Sequence, residues 1–341
     1  MQWHKVHSYS QFLLLIIILL ATLLIALTIG NYPVHLMDVM HFVSASLGWQ
    51  KMAPQQWNIL DDIFVQVRFP RILAAILVGM ALATAGSAYQ AIFRNPLVSP
   101  GILGVLAGSA FGATLAMLLN QSDGVLQIWA FGFGLFAVVV GIVIGQLFGS
   151  GSLVMLILGG MISSALFSAL LSIVKYVADP QDQLPSITYW LMGSLGRANL
   201  TQSLYLAIPI GVATVVLWLL GRAIDVMSMG DQEAKTLGVP VVFIRYLVIA
   251  LATLISALSV SIAGMIGWIG LLAPHVARLL VGPGNSRLLP ASTILGAVFL
   301  VIADCIARSV AAVEIPIGII TECLGLPMFI LVLHRVKKGW N

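Results

Sequence analysis

The sequence predicts an all-α polytopic membrane protein, a single transmembrane domain over residues 1–341 with about ten crossings. Three observations carry this. Hydrophobic residues make up 60% of the chain and charged residues 8%, with a mean hydropathy of +1.07, far from the balance of a soluble globule. Apolar runs recur along the whole chain at the length of roughly 20 residues that crosses ~30 Å of hydrocarbon. The alternating segments of about 10 residues that build membrane β-barrels are not seen, so helices must satisfy the backbone in lipid.

The first apolar run, 12–29, follows Lys5 and lacks a small-residue cleavage site. Its length exceeds the apolar core of a signal peptide, so it reads as a retained span. Residues 30–71 carry Asp38, Lys51, Asp61, Asp62, Arg68 and Arg71 and are expected outside the membrane, partly as amphipathic helix. Further spans are expected at 72–92, 102–119, 125–148, 153–177, 203–220, 241–263, 266–280, 288–310 and 317–333. The eighth is short and holds Pro274 and His275. Gly79, Gly86, Gly101, Gly104 and Gly108 are expected to let helices approach closely, and Asn95-Pro96 to shape a turn.

With an even number of spans both termini share a side, and the basic residues choose it. If the termini face the cytoplasm, ten Lys and Arg fall there: Lys5, Arg94, Arg222, Lys235, Arg245, Arg278, Arg287, Arg335, Lys337 and Lys338. Six fall opposite: Lys51, Arg68, Arg71, Lys175, Arg197 and Arg308. The excess favours termini inside. A weak echo at an offset of 178 residues repeats Ala85-Gly86, Pro96 and Gly104 as Ala263-Gly264, Pro274 and Gly282. It suggests an inverted repeat of the kind transporters use, although these residue types are common in this composition.

Residues 222–240 break the apolar pattern by gathering Arg222, Asp225, Asp231, Glu233 and Lys235 between two long runs. After Gly230, an acidic start and the closing Gly238 and Pro240 predict a short helix in water. It is either an ordinary connection or a docking element for a soluble partner. The net charge of +4 gives no support to nucleic-acid binding. Cys305 and Cys323 lie in apolar runs without a CxxC or Cys/His cluster and read as small core residues. No Walker loop, HExxH or GxSxG is present, so the chain is not expected to be an enzyme or to hydrolyse ATP itself.

From Arg68 onward a longer pattern appears. Arg68-Phe-Pro-Arg71-Ile-Leu-Ala-Ala, Ala85-Gly86 and Arg94-Asn-Pro-Leu-Val-Ser-Pro-Gly-Ile-Leu-Gly104 are followed by Leu158-Gly-Gly160 and Trp190-Leu-Met-Gly-Ser-Leu-Gly196. Then come Met229-Gly-Asp-Gln-Glu-Ala-Lys-Thr-Leu-Gly238, Ala263-Gly-Met-Ile-Gly-Trp-Ile-Gly-Leu-Leu-Ala-Pro-His275 and Glu314-Ile-Pro-Ile-Gly318. Over residues 12 to 335 this resembles the permease subunit of vitamin B12 and iron-siderophore ABC importers, a family whose cargoes also include haem, molybdate and tungstate.

The resemblance implies a permease domain in a bacterial cytoplasmic (inner) membrane, paired with a second copy above two cytoplasmic ATPases that carry the ATP and Mg. It implies no cofactor bound by this chain, and a soluble binding protein that delivers the cargo. Arg68, Arg71 and Arg308 would be the rim residues meeting acidic groups of that protein; the plainer reading is arginines snorkelling at helix ends. Gly230, Asp231, Glu233, Ala234, Leu237 and Gly238 would contact the ATPase within the coupling segment 222–240. Spans five and ten would line the pathway, making Ser150, Ser152, Leu153 and Val154 candidates for an inner gate, with a plain turn equally open. His275 reads as a hydrogen-bonded structural residue and Asp304 as a packing residue paired with Arg308 one turn on. The competing function is a proton-coupled secondary transporter using Asp304 or Glu322, since ionisable groups in spans are costly and often functional.

Overall fold

The computed structural model describes residues 2–338 apart from 31, 33, 150, 151 and 312, and the side chains of 10–332 and 334 among them. No strand occurs among the described residues. The chain runs α1 (Gln2–Thr28), α2 (Leu36–Ser46) and α3 (Pro54–Asp61) before α4 (Phe69–Ile92). It continues through α5 (Val105–Leu118), α6 (Asp123–Phe148), α7 (Leu153–Val177), α8 (Gln183–Leu191) and α9 (Leu200–Leu219). The remainder is α10 (Gly221–Met229), α11 (Asp231–Thr236), α12 (Val241–Ala263), α13 (Ile269–Val281), α14 (Asn285–Ala307) and α15 (Ile317–Lys338). Seven of the described helical stretches are long and apolar enough to cross a membrane, and three shorter apolar helices, Val105–Leu118, Ile269–Val281 and Ile317–Val332, bring the total to the expected ten.

Two features of the sequence shape the long second crossing. Asp62–Arg68 is wound as π-helix and joins α3 to α4 without a break. Pro70 follows two residues after Arg68; it has no N–H to give, and its ring would press on the carbonyl four residues back in a regular α-helix. Within α4, Gly79 meets α14 backbone to backbone: a Cβ there would stand 2.3 Å from the carbonyl oxygen of Gly296. Alanine has no room at this crossing.

The helix pairings repeat. α4 packs on α14 as α12 packs on α6, and α5 contacts α6 and α7 as α13 contacts α14 and α15, with α4 against α12 between the two sets. Each half also interrupts itself at the same stage. A 3-10 turn (Pro100–Leu103) precedes α5, and a non-helical stretch ending at Trp268, with φ 69°, precedes α13. This is the pairing scheme of an inverted repeat with discontinuous helices. The echo at 178 residues does not mark its register, however. It matches Gly86, inside α4, with Gly264, which caps α12, whereas the ends of those helices, Ile92 and Ala263, lie 171 residues apart.

The main core gathers buried side chains of α4, α9, α10 and α12, the fully buried Tyr89 among them. Tyr89 Oη and Thr253 Oγ1 are 2.6 Å apart, and Trp218 Nε1 donates to Thr293 Oγ1 at 3.0 Å, which in turn lies 2.7 Å from Thr84 Oγ1. Such hydroxyl pairs tie helices together where lipid offers no alternative partner.

Candidate functional site

Helix α4 spans about 36 Å at 1.5 Å per residue, and each end carries an arginine held by an aspartate from a distant part of the chain. At its C-terminal end Arg94 pairs with Asp231 Oδ1, while Arg245, in the first turns of α12, donates to Asp231 Oδ2 at 2.6 Å. Arg94 Nε also donates to the Met227 carbonyl at 3.1 Å. Asp231 thus fastens the start of α11 to two crossings. Burial alone would raise its carboxyl, but the hydrogen bonds and charges of Arg245 and Arg94 outweigh this and hold it below the ordinary aspartate value.

The segment around Asp231 follows the predicted pattern. Gly230, at φ 143°, breaks α10 from α11, and Gly238, at φ 79°, ends α11 in a left-handed turn; both are conformations that favour glycine. A third tie leaves no local trace in the sequence. Asp225 Oδ1, on α10, accepts from the Asn285 backbone N–H at 2.6 Å and from Asn285 Nδ2 at 2.8 Å, capping α14 across the chain. The α10–α11 segment is therefore bound by two aspartates to α4, α12 and α14.

Of the six residues expected to meet an ATPase, Glu233, Leu237 and Gly238 are exposed and Gly230 and Asp231 partly so. Ala234 is not available: it is completely buried in the main core and anchors α11 instead. Met229 adds an exposed side chain beside them, left out of the sequence-based set.

At the opposite end Arg68, Arg71 and Arg308 line one cleft of about 260 Å³ together with Tyr32 and Glu314. They do not protrude as rim charges. All three are more than nine-tenths buried. Arg68 donates to the Leu27 and Tyr32 carbonyls and lies over the Phe64 ring. Arg71 Nε donates to Asp304 Oδ1 at 2.7 Å and its Nη1 to Glu314 Oε1 at 2.6 Å. Arg308 donates to the Ala26 carbonyl at 2.6 Å and stands 3.4 Å from Asp304 Oδ2. The expected Asp304–Arg308 pair is present, with Arg71 as its closer partner.

The remaining candidates are dispersed. Ser152 caps α7, its Oγ accepting from Met155 N at 3.4 Å; Leu153 is half-buried, Val154 is exposed, and Ser150 lies outside the described residues. From Val154 through Leu158, Met161, Ile162, Leu166 and Ile173, α7 presents one continuous exposed apolar stripe. His275 Nδ1 is 2.7 Å from the Leu271 carbonyl, with the ring edge-on to Phe329 of α15. Arg278 donates to Gln90 Oε1 at 3.0 Å, and Glu322 is exposed on α15. Among the described residues no group of three His, Cys, Asp or Glu is arranged around a metal position.

Comparison with known proteins agrees along nearly the whole chain. The profile of the FecCD transport family matches residues 17–335. The molybdate import system permease protein MolB of Haemophilus influenzae is 40% identical over 335 residues, covering 97% of this chain and 98% of that protein. The vitamin B12 import system permease protein BtuC of Escherichia coli is 36% identical over 306 residues, 87% of this chain and 91% of the relative. Among solved structures, an inward-facing ABC transporter described as of the metal-chelate type superposes with a TM-score of 0.83 at 40% identity, covering 94% of this chain and 97% of the other.

Proposed function

Because this chain belongs to the FecCD transport family, whose members are membrane permeases of ABC importers, we propose that it carries a small metal-containing solute inward. The cargo we assign first is a metal oxyanion such as molybdate or tungstate, because the relative matched over 97% of this chain is a molybdate permease. A metal chelate is the second reading, carried by the solved transporter of that type at the same identity. A cobalamin or haem cargo follows less well, resting on relatives that match a smaller share of the chain.

The observation that carries the mechanism is the pair of arginine–aspartate clusters at the two ends of α4. The termini and α10–α11 face the cytoplasm of a bacterial inner membrane, in keeping with the ten-to-six excess of basic residues on that side. There the exposed Glu233, Leu237 and Met229 meet an ATPase, one for each of two permease copies. The cleft of Arg68, Arg71 and Arg308 receives acidic side chains of a substrate-binding protein, for which guanidinium is the fitting partner. The exposed stripe of α7 faces the second copy and, with α15, encloses the pathway, with Ser152, Leu153 and Val154 at its inner mouth.

Closure of the ATPase dimer displaces α10–α11, and because Asp225 and Asp231 bind that segment to α14, α4 and α12, the displacement moves these crossings together. A proton relay through Asp304 gains nothing from the structure, since both of its oxygens are taken by arginines. The test is transport in liposomes. Uptake of molybdate that requires ATP, the ATPase and the binding protein is the expected result; uptake by the chain alone under a proton gradient would replace this reading with a secondary transporter. Substitution of ferric chelate for molybdate decides between the two cargo classes.

A further inference from the structure

The cleft at the start of α4 holds more positive charge than negative. Three guanidiniums, Arg68, Arg71 and Arg308, face two carboxylates, Asp304 and Glu314. Among the described residues Arg68 has the Leu27 and Tyr32 carbonyls and the Phe64 ring as partners, and no carboxylate. The two carboxylates are not equivalent. Asp304 has a side chain only 1% exposed and is shared by Arg71 and Arg308, whereas Glu314 is 34% exposed and, among the described residues, is held at its Oε1 by Arg71. Glu314 sits between α14 and α15 and borders the open cleft that also holds Arg68. An acidic side chain entering this cleft finds Arg68 without a carboxylate, but at Arg71 it meets the place that Glu314 already occupies and the charge of Glu314 itself.

The geometry points to Glu314 as an internal stand-in for the partner's carboxylate: it occupies Arg71 in the undocked permease and yields it, or opposes it, when the binding protein arrives. This rests on the reading of the arginine cleft as a docking site and adds what makes that docking reversible. A like charge a few ångströms from an incoming carboxylate weakens the encounter, and removing it strengthens steering at low salt. Asp304 cannot play this part, because it is enclosed and its loss would leave the buried Arg308 without its carboxylate and Arg71 with Glu314 alone.

The test measures binding of the importer's own substrate-binding protein, without cargo, to the full permease–ATPase complex in nanodiscs at low and high salt. Glu314→Gln is expected to tighten docking about threefold to fivefold at low salt, the scale of one partly exposed ion pair, mainly through faster association and with the gain shrinking at high salt. Glu314→Asp, which keeps the charge, should bind as the wild type does. Unchanged or weaker docking in Glu314→Gln overturns the stand-in, as does equal tightening by Glu314→Asp. Arg68→Glu separates the two levels. If it weakens docking while Glu314→Gln gains nothing, only the stand-in fails; if it leaves docking unchanged at low salt, the docking cleft fails with it.

Discussion

The two ends of α4 solve the same problem in opposite ways. At one end Asp304 bridges Arg71 and Arg308 with a side-chain exposure of 1%, and at the other Asp231 bridges Arg94 and Arg245 with an exposure of 33%. Both are arginine–aspartate–arginine bridges between segments far apart in sequence. Their surroundings decide what each is worth. A buried ion triad contributes little over an apolar packing yet costs much to break, because a lone charge remains behind, whereas at Asp231 only Arg245 is enclosed, at 4% exposure, and the pair with Arg94, at 35%, is worth about 0–1 kcal/mol and can open and close. The first is suited to fix α4 against α14, the second to hold a segment that, in the proposed function, answers an ATPase.

Asp304→Ala draws this contrast most sharply. It leaves Arg71 and Arg308 buried beside Glu314 alone, and the expected loss of stability is about 3–5 kcal/mol, read as a fall in thermal unfolding temperature in detergent. Asp231→Ala in the same assay should cost less than Asp304→Ala, because Arg94 returns to water and only Arg245 is left enclosed without its carboxylate. Equal losses at the two ends would remove the distinction. Gly79→Ala comes next. The new Cβ would stand 2.3 Å from the Gly296 carbonyl oxygen, so α4 and α14 must separate, at an expected cost of about 1–3 kcal/mol together with reduced uptake.

Asp225 tests whether the exposed end is linked to the rest by more than Asp231. Asp225→Ala removes the acceptor at the start of α14 and should cost about 1 kcal/mol, as lost caps do. It should also raise the ATP hydrolysed per molecule transported, which a purely structural cap would leave alone. Asp225→Asn, which keeps an acceptor oxygen, should restore most of the coupling. On the outer surface of the same segment, Glu233→Arg and Leu237→Asp touch no core contact and should leave stability within about 0.5 kcal/mol. Both should uncouple hydrolysis from uptake while the binding protein still docks; normal coupled transport in both variants would return 222–240 to being a connection.

Much of the architecture is legible from residue order because hydropathy and length are local properties. The span expected at 241–263 is α12 to the residue, and the one expected at 153–177 is α7. Even the short eighth crossing is present as α13, with Pro274 inside it. The helices missing from the sequence reading, α8 and α10, are 9 residues each and flank polar loops, where hydropathy has no contrast. The charged sites divide in the same way. The resemblance picks out Arg68, Arg71, Arg308 and the coupling segment, but not that the three arginines are buried or that Asp225 reaches Asn285. Pairings 60 to 243 residues apart leave no local pattern. One signal was available: in a chain with so few charges, an aspartate within a span must find a cation, and Arg71 was as eligible as Arg308.

The smallest effect concerns acid. Arg245 and Arg94 hold the Asp231 carboxyl below its ordinary value against the opposing pull of burial, so the folded state binds this proton more weakly than the unfolded chain does. The stabilisation is therefore complete above the ordinary aspartate value of about 3.9 and is lost as pH falls through the lower, folded value. Between pH 5 and 8 the backbone amides of α11 should exchange hydrogen at a rate that does not follow this group. Below that ordinary value they should lose protection, and Asp231→Asn should remove the step while lowering protection at every pH. Loss of protection beginning near neutral pH would mean that Asp231 is not the group holding α11, and that the exposed end of α4 is closed by some contact other than its two arginines.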